Sequence, residues 1–93
     1  MKLSHTTRDN QKIEEGTRIY YTGDMANIPD FGIVKIINPC DWYGLKIHIK
    51  LDDGREFALT PSSFEPGPGT RFITEKKYFA DRNEKLREAG FLK

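Results

Sequence analysis

Residues 45–59, with the sequence LKIHIKLDDGREFAL, constrain the fold of this chain more than any other segment. Every second residue from 47 to 51 is aliphatic and the residues between them are His or Lys, which is the two-residue period of a strand with one buried face. Asp53 and Gly54 follow, and glycine takes the positive φ of a tight turn without a Cβ clash. The segment therefore predicts a β-hairpin whose inner face carries Ile47, Ile49 and Leu51.

Three more strands are predicted around this hairpin, which makes five in all. Residues 17–22 are rich in β-branched and aromatic side chains, which favour strands, and Ile19 and Tyr21 are expected to face inward. Residues 32–38 form the next strand, and a short last strand covers residues 70–73.

The strand over residues 32–38 has aliphatic side chains on both faces. Strict alternation places Val34 and Ile36 on one face and Ile33 and Ile37 on the other. Pro39 is expected to end this strand because proline cannot donate a hydrogen bond to the ladder.

The loops between the predicted strands also contain sequence signals for turns. Residues 23–31 contain turn residues and three apolar side chains that are expected to lean back on the body, namely Met25, Ile28 and Phe31. Pro61, followed by two serines, predicts one 3₁₀ turn with Phe64 as its buried foot.

The end of the chain has the signals of a helix that runs to about residue 89. Thr74 is placed to cap its N-terminus, and Gly90 suits the left-handed position after its C-terminus. The predicted buried stripe of this helix contains Tyr78, Phe79 and Leu86, and Phe91 and Leu92 are expected to dock behind it.

Composition limits the class of protein. The 93 residues fit one domain, organised as a flexible leader over residues 1–12, a β domain over 13–73 and a helix with a docked tail over 74–93. No apolar run approaches the 18 residues of a membrane span. Cys40 is the only cysteine, so no internal disulfide forms and a cytoplasmic location is expected.

The order of these elements resembles the SH3-like barrels, in particular the Tudor, KOW and chromo-barrel type. The residues that carry the resemblance are GTRIYY at 16–21, GIVKI at 32–36, IHIKLDDGRE at 47–56 and PSSF at 61–64. The resemblance covers about residues 16–73. It implies a mainly β fold, a small five-stranded SH3-like barrel, with the C-terminal helix packed on it. The stretch YYTGDMAN at 20–27 also looks like small uncharacterised proteins of bacterial plasmids and phages.

The resemblance also implies a binding site. Tudor domains that bind methylated Lys or Arg surround the cation with aromatic rings at one barrel end. Here Tyr20, Phe31, Trp42 and Tyr43 would form this partner-binding cage if the first loop and the loop over 39–44 converge. Aromatic residues in a turn are typical of a contact site. The alternative is that Trp42 caps an open end of the barrel as a core residue.

A nucleic-acid-binding KOW-like or Tudor-like domain is the alternative function. Residues 70–93 carry seven basic and four acidic side chains, whereas residues 1–69 carry eight and ten. Phosphate contacts would come from Arg71, Lys76, Lys77, Arg82, Lys85 and Arg87. These six do not share one helix face, and the acidic residues between them dilute their field.

No group of residues in the sequence predicts catalysis. His5, His48 and Cys40 lack the short spacing of zinc ligands, so no metal or other cofactor is expected. Cys40 and His48 lie on neighbouring elements, but neither an orienting third group nor an oxyanion hole accompanies them. We therefore predict that the chain is not an enzyme.

The sequence favours a non-catalytic binding module that docks a macromolecular partner, in the first place a protein. A specific version is a mobile-element-encoded inhibitor or accessory protein that acts on a host nucleic-acid or defence enzyme. A third hypothesis is oligomerisation through Ile33 and Ile37, if both are uncovered.

Overall fold

The computed structural model of the chain describes residues 3–24, 26–40, 44–67, 69 and 71–90. Their elements, in chain order, are β1 (Ser4–Thr6), β2 (Lys12–Glu14), β3 (Arg18–Tyr21), β4 (Asp30–Cys40), β5 (Gly44–Leu51), β6 (Glu56–Leu59), a 3₁₀ turn (Pro61–Phe64), β7 (Phe72–Thr74) and α1 (Glu75–Glu88).

Five of these strands form an antiparallel sheet in the order β6-β5-β4-β3-β7, and β1 and β2 form a separate hairpin. The mainly β architecture with a C-terminal helix is therefore confirmed. The sheet curls so that its two edge strands approach each other: the ring centroids of Phe57 on β6 and Phe72 on β7 are 5.7 Å apart. Among the described residues the ladder does not pair β6 with β7.

The core lies against one face of the sheet, which we call the inner face. Ile47, Ile49 and Leu51 are at most 1% exposed, as the alternation predicts, and Ile19 and Tyr21 are also buried on this face. Gly54 has a φ of +100° in the predicted turn. Phe64, at the end of the 3₁₀ turn, does not belong to the sheet. It is fully buried and packs with the core residues of the inner face.

The N-terminal residues differ from the predicted flexible leader. From Ser4 to Glu14 they form the β1–β2 hairpin, whose turn includes Asn10 with a φ of +71°. Ile13 is fully buried in the core. Gln11 is also buried, and it accepts a hydrogen bond from the backbone N–H of Thr74 at 2.8 Å. The hairpin is therefore part of the domain, because it supplies both an apolar and a polar contact to it.

The predicted faces and end of the second strand were both wrong. A bulge between Val34 and Ile36 shifts the register, so Ile37 follows Val34 into the core while Ile36 is 44% exposed. The strand also continues through Pro39 to Cys40. Because β3 pairs with β4 only over residues 30–33, Pro39 lies on an edge where a missing N–H costs no ladder bond.

The loop before β4 was predicted to lean back on the body, but Ile28 is 76% exposed. Asp24 Oδ1 accepts from the backbone N–H groups of Ala26 and Asn27 at 2.8 Å, which closes a tight local turn. The backbone oxygen of Ile28 accepts from Arg55 at 2.7 Å. The loop is thus held by its backbone, and the Ile28 side chain faces solvent. Met25 lies outside the described residues.

The helix begins as predicted, because Thr74 Oγ1 accepts from the backbone N–H of Lys77 at 3.1 Å. It ends at Glu88, and Gly90 has a φ of +85°. The buried stripe is only partly right: Tyr78 and Leu86 are half-buried, but Phe79 is 45% exposed. Phe91 and Leu92 lie outside the described residues. In the part of the chain that the structure describes, no helix has the length and apolar character needed to cross a membrane.

Candidate functional site

Four aromatic rings join α1 to the outer face of the sheet, the face opposite the core. Tyr20 on β3 and Phe31 on β4 are cross-strand partners with ring centroids 4.9 Å apart. The Tyr78 ring lies 4.2 Å from that of Tyr20, and Phe79 stacks on Phe31 at 5.9 Å with 14° between the ring planes. We call these four residues the aromatic cluster. Burial raises the pKa of the Tyr20 hydroxyl above its ordinary value.

The structure describes two of the four residues of the predicted cage. The sheet brings Tyr20 and Phe31 together, but Trp42 and Tyr43 lie outside the described residues. The other two rings come from α1, which the sequence interpretation did not connect with Tyr20. Because the Tyr20 and Tyr78 centroids are only 4.2 Å apart, the rings are in contact and leave no space for a cation between them. One signal was available: Tyr20 is an aromatic residue on the outward face of a strand, and it requires a cover.

A groove of about 590 Å³ opens beside the cluster, between the β1–β2 turn and the first two turns of α1. We call it the hairpin–helix groove. Phe79 and Ala80 provide its apolar wall. Its polar lining residues are Asp9, Asn10, Gln11, Lys12, Thr17, Arg18, Thr74, Glu75, Lys76 and Lys77. The exposed part of Phe79 therefore faces a concave surface that is bordered by both signs of charge.

Arg18 is the charged side chain on the β3 side of the groove, and ion pairs hold it in place. Its guanidinium bonds to both oxygens of Asp52 at 2.9 and 3.1 Å and to Glu75 at 3.3 Å. These bonds hold the pKa of Asp52 below its ordinary value. The hydrogen bond to Asp52 is also the main reason that the pKa of Arg18 is raised. Arg18 thus ties Asp52, the residue after β5, to the first turn of α1, and Arg18 and Glu75 both line the groove.

Asp9 fixes the charge on the hairpin side. Burial raises the pKa of this carboxyl, but hydrogen bonds from Gln11 and Thr7 outweigh burial, so the pKa lies below its ordinary value. Gln11 Nε2 donates to both Asp9 oxygens at 2.9 and 3.0 Å. Asp9 therefore remains ionised and held in place at the groove.

The predicted basic patch is dispersed in the structure. Arg71 is 22% exposed, lies before β7 and is 4.0 Å from Asp9. Lys77 forms an ion pair with Asp81 at 3.3 Å, and Arg82 donates to the Tyr78 hydroxyl at 3.3 Å. The remaining members, Lys76, Lys85 and Arg87, are exposed on α1. The six residues do not form one continuous surface.

The ladder separates Cys40 from His48. Cys40 pairs with Gly44 and His48 pairs with Ile36, so their positions are four residue steps apart along β5, about 13 Å at the strand rise. No group of three or more His, Cys, Asp or Glu residues within the described ranges has the arrangement of a metal site.

No family model, curated protein or solved structure matches this chain. The resemblance to SH3-like barrels thus rests on the chain's own residues and remains a prediction.

Proposed function

We propose that this chain is a non-catalytic module that binds a protein partner in the hairpin–helix groove, with Phe79 as its apolar anchor. The observation that carries the proposal is the exposure of Phe79. This side chain stacks on Phe31 and yet leaves 45% of its surface in water beside a groove of about 590 Å³.

Exposed aromatic residues beside a concave surface favour protein binding. Aromatic side chains are enriched among the few residues that supply most of the energy of protein interfaces. Phe79 is also held from behind by Phe31 and Tyr78, at 5.9 and 5.3 Å, so it loses little conformational freedom when a partner covers it. A preformed anchor of this kind favours a groove-binding segment of a partner.

The charges around the groove favour a protein over a polyanion at this site. Asp9 and Glu75 contribute negative charge, and Lys12 and Lys76 contribute positive charge. The whole chain has a net charge of only +1. A partner segment with an apolar residue between charged residues of both signs complements this border.

The proposal includes a finer assignment of the fold, namely an SH3-like barrel. The described elements support it, because four consecutive strands, a 3₁₀ turn and a last strand that pairs back on β3 occur in the expected order. It also includes the cytoplasmic setting and the narrower role of a mobile-element-encoded inhibitor or accessory protein, which the identity of the partner tests.

The experiment compares two exposed positions, one at the border of the groove and one in the loop before β4. A photoreactive phenylalanine analogue replaces Lys76 at the groove border, and in a second protein it replaces Ile28, and cross-linked proteins from cells of the source organism are identified. We expect a protein that cross-links from position 76 and not from position 28.

Affinity measurements with the purified partner then test the anchor. Phe79→Ala should weaken binding at least tenfold, whereas Ile28→Ala, which truncates an even more exposed side chain, should change the affinity less than twofold. Circular dichroism checks that both variants fold. Equal affinity of Phe79→Ala and the parent protein contradicts the proposal.

A further inference from the structure

Three lysines lie on the part of the outer face that α1 leaves uncovered. The helix packs over β3, β7 and the first residues of β4, where Phe79 stacks on Phe31. Among the described residues, no helix lies above the outer face of β5, β6 and the rest of β4. Lys46 and Lys50 lie on the outer side of β5, and Lys35 occupies the bulge of β4. All three are exposed. We call these residues, together with Ile36 and His48, the lysine face.

These lysines differ from the other basic residues of the β domain. Among the described residues up to position 71, every other Arg or Lys has a carboxylate within 4.0 Å. These are Arg8, Lys12, Arg18, Arg55 and Arg71. No described carboxylate comes that close to Lys35, Lys46 or Lys50. Glu56 on β6 lies across from Lys50 in the ladder. It is the one acidic residue described on the outer faces of β5 and β6. The unpaired positive charge of the described β domain is thus concentrated on one face of the sheet.

The lysine face also has an apolar centre. Ile36 is 44% exposed and lies opposite the half-buried His48 in the ladder. A shallow hollow of about 300 Å³ next to them is lined in part by Lys35, His48 and Ala58, and Glu56 also borders it. Successive outer side chains of β5 are about 7 Å apart, so Lys46 and Lys50 stand roughly 14 Å apart with His48 between them.

We propose that the lysine face binds single-stranded nucleic acid, with Lys35, Lys46 and Lys50 at its phosphates and Ile36 and His48 against its bases. This surface is separate from the hairpin–helix groove, so the inference goes beyond the proposed protein-binding function and stands independently of it.

The chemistry of the surface favours this ligand over duplex DNA or an acidic protein. Lysines without a carboxylate partner bind phosphates favourably, because binding releases the counterions condensed around the nucleic acid. A single strand also exposes the flat faces of its bases, which pack on apolar and aromatic side chains, whereas a duplex hides those faces in its stack. The apolar position of Ile36 between lysines therefore matches a single strand, and an acidic protein would leave it without a specific role.

The test uses two triple variants that remove the same charge from different surfaces. One is Lys35→Gln/Lys46→Gln/Lys50→Gln. The matched control is Lys76→Gln/Lys85→Gln/Arg87→Gln, which removes three exposed cations from α1. Fluorescence anisotropy is measured with labelled 20-nucleotide oligo(dT), oligo(U) and a 20-base-pair duplex, from 50 to 200 mM salt.

We expect the parent protein to prefer one or both single strands to the duplex. The lysine-face variant should lose at least tenfold in affinity at 50 mM salt. Its slope of log K against log salt should fall by about 2, because each lost phosphate contact removes about 0.7. The control variant should stay within threefold of the parent. Ile36→Ala should weaken binding severalfold with no change in the salt slope, because it removes a base contact and no charge.

Several outcomes overturn the inference. Absence of binding at 50 mM salt does so, and so does a preference for the duplex. Equal losses in the two triple variants mean that only overall charge matters, and a larger loss in the control places the interaction on α1. Poly-glutamate that competes as well as oligo(dT) at equal charge makes the face a general site for acidic polymers. Circular dichroism and a thermal melt establish that each variant is folded.

Discussion

The side-chain oxygen of Gln11 accepts two hydrogen bonds from Thr74, one from its backbone N–H at 2.8 Å and one from its hydroxyl at 3.2 Å. The same Thr74 hydroxyl caps α1 by accepting from Lys77. Gln11 therefore connects the β1–β2 hairpin to the junction of β7 and α1, where one wall of the hairpin–helix groove meets the other. Both partners are buried, so neither regains a hydrogen bond from water if the other is removed.

The first prediction concerns this contact. Gln11→Ala leaves the buried N–H of Thr74 without an acceptor, and such a group typically costs about 1–3 kcal/mol. We expect a loss of that size in the free energy of unfolding, measured by urea denaturation. Lys12→Ala is the matched control, because Lys12 is exposed and its ion pair with Glu14 at 3.7 Å contributes less than about 1 kcal/mol. Equal losses in the two variants would show that the Gln11–Thr74 hydrogen bonds contribute no more to stability than the exposed side chain of Lys12.

The second prediction concerns Glu65, which joins the N-terminal hairpin to the end of the 3₁₀ turn. Its carboxylate accepts from the backbone N–H of Arg8 at 3.0 Å, from His5 at 2.9 Å and from the Arg8 guanidinium at 3.1 Å. These contacts, the backbone N–H foremost, hold the pKa of Glu65 below its ordinary value of 4.5. A carboxyl with a lowered pKa stabilises the fold above its unfolded pKa, and this stabilisation is lost as the pH falls through the folded pKa.

We therefore expect Glu65→Gln to be less stable than the parent protein at pH 7, with the difference shrinking below about pH 4.5. Urea denaturation at intervals from pH 7 to pH 3 measures this. Glu84→Gln, an exposed change on α1, should run parallel to the parent. The pKa values of Asp9, Asp24 and Asp52 are also lowered, so part of the acid sensitivity should remain in Glu65→Gln. A constant offset between Glu65→Gln and the parent at all pH values would contradict the assignment.

The third prediction concerns Gly32 on β4, which lies against the backbone of β5. A Cβ at this position would lie 2.6 Å from the backbone oxygen of Lys50 and 2.9 Å from Cα of Leu51. Neither backbone atom moves without breaking the ladder, so Gly32→Ala should cost about 1–3 kcal/mol or more. Gly67→Ala is the control, because no described atom other than those of its chain neighbours lies within 4 Å of its added Cβ and the change restricts the unfolded chain. Its stability should stay level or rise slightly in the same denaturation assay.

Local signals in the sequence predicted much of this fold. The turn at Gly54, the cap at Thr74 and the buried Phe64 each depend on a few adjacent residues, and the structure has all three. The inner faces of β3 and β5 follow from alternation alone, since a strand with one buried face places every second side chain in the core. These features do not depend on which distant segment packs against them.

The features that were missed depend on distant partners. Residues 3–12 are mostly polar, and contacts with distant residues hold them on the domain: Gln11 bonds to Thr74, 63 residues away, and His5 and Arg8 bond to Glu65. The groove and the aromatic cluster have the same origin, because the pairing of β7 with β3 places α1, which follows β7, over Tyr20. The outward position of Tyr20 indicates that the ring needs a cover, but nothing within either segment identifies the other as its partner.

The faces of β4 were predicted wrongly for a different reason, because the bulge adds one residue to this strand and shifts its alternation. Alternation assigned Ile37 to the face opposite Val34, but the extra residue at the bulge returns Ile37 to the core, where it is 7% exposed, and leaves Ile36 at 44%. A bulge adds one residue to one strand without changing its hydrophobic composition. Two adjacent isoleucines therefore fit either register, and the sequence alone does not distinguish them.

The last prediction uses these two residues to test the bulge. Ile37→Ala removes a buried side chain and should lower the free energy of unfolding by about 2–5 kcal/mol. Ile36→Ala removes the same atoms from the surface and should change it by no more than about 0.5 kcal/mol. Urea denaturation of both variants measures the difference. Regular alternation predicts the reverse order, with Ile36 beside Val34 in the core. A larger loss for Ile36→Ala would therefore contradict the bulge, and it would also contradict the assignment of Ile36 to the lysine face.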